Sequence, residues 1–290
     1  MGLIAPELFV IIDMFWDTEV YYGKEIRMAR FYPLFSGSSG NSTYMGTATE
    51  GILIDCGMSA KQLNLALEEA EIAPHTIRAV FITHEHIDHI RGLRVFAKKY
   101  GCLVYASPGT LKQLLQMGQL DGVTDYRPIG EAGVELQTMR ITSFPTSHDA
   151  AESVGYRIEF ADGRAACVAT DTGVITPAIL QGLRGADLVL LESNHDPRML
   201  RYGPYPAPLK ARIASELGHL SNTDCAATAV HLLENGTARF VLGHLSRENN
   251  TPETAREATL AALTADGGAE GMDFLLQVAA PRGDGKLMVF

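Results

Sequence analysis

From Met28 onward, short apolar runs recur along the chain, and several of them stop on a histidine or an aspartate. Residues 31–35 and 51–55 read as strands on either side of the loop Ser36-Gly37-Ser38-Ser39-Gly40-Asn41-Ser42. Leu63, Ala66, Leu67 and Ala70 fall at helical spacing and predict an amphipathic helix over 60–70. A strand over 79–83 follows, then a helix over 92–100 and a short strand over 103–107. Ser107-Pro108-Gly109-Thr110 opens the next helix, which runs to about Gln116. Strands are predicted over 134–144 and 154–160, and Asp162-Gly163 marks a hairpin turn into a strand over 164–170. Beyond them lie a helix at 177–183, a strand at 187–192, a helix at 222–235, a strand at 238–243, a helix at 252–263 and closing strands at 275–280 and 287–290. Strands in hairpin-like groups, with helices between and after them, suit an α+β fold of two mixed β-sheets packed face to face and flanked by helices. There is no short-period repeat, low-complexity tract or clear linker.

The polar ends of these runs carry the chemistry. Thr83-His84-Glu85-His86-Ile87-Asp88-His89 puts four metal-competent side chains within six positions, directly after a buried apolar run. Imidazole and carboxylate suit borderline divalent metals. In an extended segment His84 and His86 point to one side, while Asp88 and His89 stand where the chain turns into a helix, so the cluster can serve two metals. Asp55, His148, Asp171 and His244 each sit at or just beyond the end of an apolar strand. Taken singly, each aspartate could cap a turn and each histidine could be an ordinary loop residue. Their recurrence at strand ends argues for one shared site.

Composition limits the alternatives. The chain has 290 residues, enough for one large domain or two small ones, and 46% hydrophobic content supports a sizeable core. The formal net charge of −10 leaves no global basic field to attract nucleic acid, so an anionic substrate needs metals or a local basic patch. Cys56, Cys102, Cys167 and Cys225 are widely spaced and read as reduced, buried thiols of a cytoplasmic protein. Residues 8–16 are apolar but interrupted by Asp13. No Lys or Arg precedes them, which is wrong for a secretory signal, and the run is too short to span a membrane. Residues 1–27 therefore read as an N-terminal extension, either variable or an artefact of start-codon choice.

The order Asp55, the cluster at 84–89, His148, Asp171 and His244 resembles the five motifs of the metallo-β-lactamase superfamily, over residues 28 to about 250. That resemblance implies a four-layer αββα sandwich with metals at one edge, formed by a hydrolase domain over 28–290. Carried over, His84, His86 and His148 hold a first metal, and Asp88, His89 and His244 hold a second. Asp171 bridges the two, and Asp55 orients the cluster from behind. Where β-lactamases usually carry cysteine, Asp171 supplies a bridging carboxylate, which suits phosphodiesters or thioesters. The stretches at 36–42, 147–150, 192–196, 218–222 and 244–250 look like the YycJ/WalJ exonuclease family. This implies a bacterial nuclease that degrades DNA from the 5′ end, with two divalent ions, zinc or manganese, and a metal-bridging hydroxide as nucleophile.

Related nucleases of the superfamily use a Gly-His element and a Glu as a proton relay, and Glu192 and His219 match those places. With Asp88 they complete the expected catalytic set. The plainer role for His219 is to cap the helix near Ser221-Asn222. Ser38, Ser39 and Asn41 could surround a substrate phosphate or simply form a tight loop. His195 is a further candidate for substrate contact. Arg198, Arg201, Lys210 and Arg212, with Tyr202 and Tyr205 among them and no acidic residue, form the best basic and aromatic segment in an acidic chain. Two other functions use the same residues: a phosphodiesterase acting on a small cyclic phosphate, and a non-catalytic DNA-binding scaffold.

Overall fold

Two mixed sheets lie face to face, with helices on both outer surfaces. The computed structural model describes residues 28–290, so the extension expected at 1–27 lies outside the described residues. The first sheet runs β1 (Arg30–Phe35), β2 (Ser42–Gly46), β3 (Gly51–Ile54), β4 (Ile77–Phe81), β5 (Leu103–Ala106) and β6 (Tyr126–Pro128), with β14 (Met288–Val289) outside β1. The second runs β7 (Val134–Glu135), β8 (Met139–Pro145), β9 (Val154–Phe160), β10 (Ala165–Ala169), β11 (Leu188–Glu192), β12 (Arg239–Gly243) and β13 (Leu275–Val278). Each sheet begins with antiparallel neighbours and continues as parallel strands, from β3 to β6 and from β10 to β13.

Parallel neighbours need crossovers, and helices supply most of them. In the first half these are α1 (Ala60–Glu69), α2 (Ile87–Ile90), α3 (Leu93–Tyr100) and α4 (Pro108–Gln116). In the second they are α5 (Pro177–Leu183), α6 (Pro197–Tyr202), α7 (Ala207–Ile213), α8 (Asn222–Glu234) and α9 (Pro252–Ala265). Strand period sorts side chains between layers. On β3, Ile52 and Ile54 face the inter-sheet core with Phe81, Tyr156 and Val168, while Leu53 faces the helices. On β10, Ala166 and Val168 face inward, and Cys167 and Ala169 pack under α5 and α8. Residues buried on both faces explain why these strands read as continuous apolar runs. All four cysteines are free and buried. No helix among the described residues is long and apolar enough to cross a membrane.

Several predicted elements differ. The strand expected over 134–144 is broken, because Glu50 accepts hydrogen bonds from the Thr138 backbone N–H at 2.8 Å and its hydroxyl at 2.9 Å and pins a turn there. β2 and β6 are additional; Ser42-Thr43-Tyr44-Met45-Gly46 is fully buried although its sequence is not an apolar run. The strand expected over 79–83 spans Ile77–Phe81, which frees Thr83 for the site, and the helix after the cluster is divided into α2 and α3. The basic segment folds into two helices. Asp196 caps α6 by accepting from the Arg198 and Met199 N–H groups.

Candidate metal centre

The strand ends meet at one edge of the sandwich. Asp55 follows β3, His84 lies just beyond β4, His148 beyond β8, Asp171 beyond β10, Glu192 ends β11 and His244 follows β12. Asp55, Asp171 and His244 have φ of 65°, 58° and 55°, a left-handed conformation that Asp and His tolerate better than most residues. The reversal turns Asp171 and His244 out of their strands toward the cleft, and turns Asp55 toward Thr83 and His89 behind it.

Backbone hydrogen bonds stitch the cluster to its neighbours. Asn41 N–H donates to Asp88 O, Cys56 N–H to His89 O, and Gly57 N–H to Asn41 O, each at 2.8 Å. The approach is so close that a Cβ on Gly57 would stand 1.7 Å from the Asp88 carbonyl oxygen. Tyr156, fully buried, donates its hydroxyl to Ile82 O at 2.7 Å and supports the strand end from beneath.

Each of four imidazoles has its Nδ1 held by the protein, which leaves Nε2 to the cluster of potential ligand atoms. His89 donates from Nδ1 to Asp55 Oδ2 at 2.7 Å, His148 from Nδ1 to Gly218 O at 3.0 Å, and His244 from Nδ1 to Glu192 Oε1 at 2.8 Å. His84 Nδ1 lies 3.0 Å from Thr83 Oγ1, and that hydroxyl also donates to Asp55 Oδ2 at 2.8 Å. Asp55 thus fixes Thr83, His84 and His89 together. The inward atoms form two groups, His84, His86 and His148 in one and Asp88, His89 and His244 in the other, each with ligand atoms within 4.8 Å. Asp171 stands between them, Oδ1 3.8 Å from His148 Nε2 and Oδ2 3.4 Å from His89 Nε2.

These residues fit a metal. His84 Nε2, His244 Nε2 and Asp171 Oδ2 are buried without a hydrogen-bond partner, a costly state for a polar atom that a cation would relieve. His148 Nε2 and His86 Nδ1 face each other at 3.3 Å, two ring nitrogens able to share one cation. Burial opposes charge on His89 and His244, but Asp171 with Asp55 pushes His89 up to about 10, and Asp171 with Glu192 pushes His244 up to about 9. Burial and the positive His89 hold His84 well below its ordinary value. Burial also works against ionised Asp171, yet the surrounding imidazoles, His244 foremost, hold its carboxyl well below the usual range.

Glu192 lies behind this ring of donors with all its acceptor positions used. Oε1 accepts from Nδ1 of both His219 and His244 at 2.8 Å, and Oε2 accepts from the N–H groups of Thr172 at 2.8 Å and Leu220 at 3.3 Å. Sequence reasoning paired Glu192 with His219 and missed its hold on His244. His219 lines the cleft, and its backbone N–H is fixed by Ile213 O at the end of α7.

The expected substrate contacts divide. Ser38 is exposed on the cleft wall. Ser39 lies to one side, its carbonyl accepting from Arg91 Nη1 at 3.0 Å. Asn41 is buried, with its carbonyl taking the Gly37 N–H and its amide 3.1 Å from His89 Nε2, so it braces the loop instead of facing solvent. His195 is buried away from the cleft lining, and Arg198 is exposed on α6 outside it. Ser39, Asn41, His195 and Arg198 lie outside the lining of this cleft. Tyr205, Leu209 and Arg212, from the same basic segment, do line the cleft of about 230 Å³. A larger groove of about 810 Å³ over α3, at Arg94, Val95, Lys98 and Lys99, holds no histidine and lies apart from the centre.

A family model described as "Beta-lactamase superfamily domain" matches residues 50–245. The chain is 38% identical over 253 residues to "Exodeoxyribonuclease WalJ" of Streptococcus pneumoniae, a match covering 86% of this chain and 93% of that one. It is 36% identical over 256 residues to "Exodeoxyribonuclease YycJ" of Bacillus anthracis, covering 87% and 96%. Among solved structures, the metallo-β-lactamase fold protein YhfI from Bacillus subtilis matches with a TM-score of 0.69 at 16% identity, over 91% of this chain and 100% of that chain, a likeness of fold alone.

Proposed function

The chain belongs to the β-lactamase superfamily and, within it, to the family of the exodeoxyribonucleases WalJ and YycJ, and we propose that it is a metal-dependent phosphodiesterase that degrades DNA from a 5′ end. The observation that carries the hydrolytic reading is the clustering of seven side chains, His84, His86, Asp88, His89, His148, Asp171 and His244, five of which line one cleft. DNA as substrate rests on the names of the two relatives. Mixed nitrogen and oxygen donors suit zinc or manganese. One ion would take His84, His86 and His148, a second Asp88, His89 and His244, with Asp171 between them. When bound, the ions lower the pKa of water toward about 7 and neutralise phosphate charge.

The chain's own groups supply the rest. Asp55, Gly218 and Glu192 fix which nitrogen each imidazole offers. His219 donates from Nδ1 to Glu192 and presents Nε2 to the cleft, where it holds the proton that the departing 3′ oxygen needs. Burial opposes charge on Glu192, but His219 and His244 push its pKa down to about 2, so it stays an anion at neutral pH and keeps both rings oriented. Ser38 offers a hydroxyl to a phosphate oxygen. Four unpaired buried thiols favour a reducing compartment, the cytoplasm.

Protein loaded with zinc or manganese should shorten duplex DNA from a labelled 5′ end, releasing the label early, while a 3′ label stays on long fragments. Turnover of small cyclic phosphates alone would reject the DNA reading and favour the cyclic phosphodiesterase.

A further inference from the structure

Arg212 is the sole Lys or Arg among the described residues lining the cleft. That cleft also holds Asp88 and Asp171 and belongs to a chain of net charge −10, so an entering polyanion meets few fixed positive charges. Arg212 Nε donates to Asp149 Oδ2 at 2.6 Å, which fixes the plane of the guanidinium. Its terminal nitrogens make no hydrogen bond among the described residues, and the side chain is 52% exposed. The other oxygen of Asp149 lies 3.4 Å from His148 Nε2, so the guanidinium stands one carboxylate away from an inward-facing imidazole.

Two other cations of the basic segment are turned to other partners. Lys210 Nζ donates to Arg201 O at 2.9 Å, and the Arg201 guanidinium lies over the Tyr202 ring. The wall carrying Arg212 is held firmly. Ser147 Oγ donates to Glu216 O at 2.8 Å, Asp149 N–H to Leu217 O at 3.1 Å, and His219 N–H to Ile213 O at 2.9 Å. Leu209, Arg212 and Ile213 fall at helical spacing on one face of α7, and Tyr205 precedes that helix on the same wall.

We propose that Arg212 binds a second phosphate of the substrate, adjacent to the one that reacts, and that Tyr205 and Leu209 form the surface on which the adjoining nucleotide lies. This rests on the phosphodiesterase reading and adds a subsite to it. A planar fork with its Nε already held is suited to bidentate phosphate recognition, and an aromatic ring beside it accepts any base. A cyclic mononucleotide has one phosphate and cannot use the subsite; a DNA strand can.

The test compares two ligands on metal-loaded protein. One is thymidine 5′-monophosphate, with a single phosphate. The other is a 5′-phosphorylated dithymidine whose internal linkage is a non-hydrolysable phosphonate, with two anionic groups. Dissociation constants are measured for the natural protein, Arg212→Gln and Arg212→Lys, with metal content checked in each. The natural protein should bind the two-anion ligand about tenfold to a hundredfold tighter, the worth of a charged hydrogen bond. Arg212→Gln should shrink that gap to about threefold or less, and Arg212→Lys, which keeps charge without the fork, should recover part of it. If Arg212→Gln holds less metal, Arg212→Lys carries the comparison and should still narrow the gap. An equal gap in all three proteins, including one in which both ligands weaken together, would overturn the proposal and leave Arg212 as an anchor for Asp149. No gap in the natural protein would overturn it too. If the natural protein fails to cleave DNA but the gap exists and depends on Arg212, the nuclease reading falls and the subsite stands.

Discussion

Glu192 Oε1 lies 2.8 Å from Nδ1 of His244, and the same oxygen accepts from His219 at the same distance. One buried carboxylate therefore sets the orientation of a metal-competent ring and of the proposed proton donor. Substituting the donor and substituting the carboxylate should have different consequences.

His219→Ala should keep its metal content and lose about 10²- to 10⁴-fold in kcat, the usual worth of a positioned acid. Glu192→Gln should lose metal affinity as well, by about 10- to 100-fold, because an amide cannot accept from two imidazoles and two backbone N–H groups at once. Metal analysis beside turnover separates the two variants. Equal metal loss in both would remove His219 from the proton-transfer role.

Gly57→Ala should destabilise the fold by about 1–3 kcal/mol or more, since the new Cβ meets the Asp88 carbonyl oxygen and the Asn41 backbone nitrogen. Gly130 has no neighbour within 4 Å of an added Cβ, so Gly130→Ala should stay within about 0.5 kcal/mol. Denaturant melts of the two variants check the contrast.

Metal uptake should release protons. At pH 7 the metal-free His89 and His244, pushed up to about 10 and about 9, carry a proton on Nε2, while their Nδ1 protons remain hydrogen-bonded to Asp55 and Glu192. A cation displaces the Nε2 proton, so apparent affinity should rise with pH and level off once those rings are neutral without it. Titration calorimetry in buffers of different ionisation enthalpy should give about one to two protons released near pH 7. A release of zero would mean that the rings are neutral before the metal arrives.

Much of this site was legible in the chain. Asp55, Asp171 and His244 each end an apolar run, and the positive φ at all three is the physical form of that pattern. Other features were hidden because they depend on contacts distant in sequence. The break after Glu135 comes from Glu50, and β2 is buried by its neighbours more than by its own composition. Arg198 and Arg212 look alike in the sequence. Only the packing of α7 against the loop at 147–149 distinguishes the residue that reaches the cleft.

Chelation should lower thermal stability. Removing the ion leaves His84 Nε2, His244 Nε2 and Asp171 Oδ2 buried and unpaired. A ligand held at a hundred times its Kd stabilises by about 2.7 kcal/mol per site. For a chain of this size that is on the order of 5–10 °C in Tm, and re-addition of metal should restore it.

Diffraction from zinc- or manganese-soaked crystals, recorded on either side of the metal absorption edge, locates the ions. Two anomalous peaks should appear, one among His84, His86 and His148, the other among Asp88, His89 and His244, with Asp171 touching both. A single peak, or peaks away from Asp171, would mean that these residues do not form a two-metal centre.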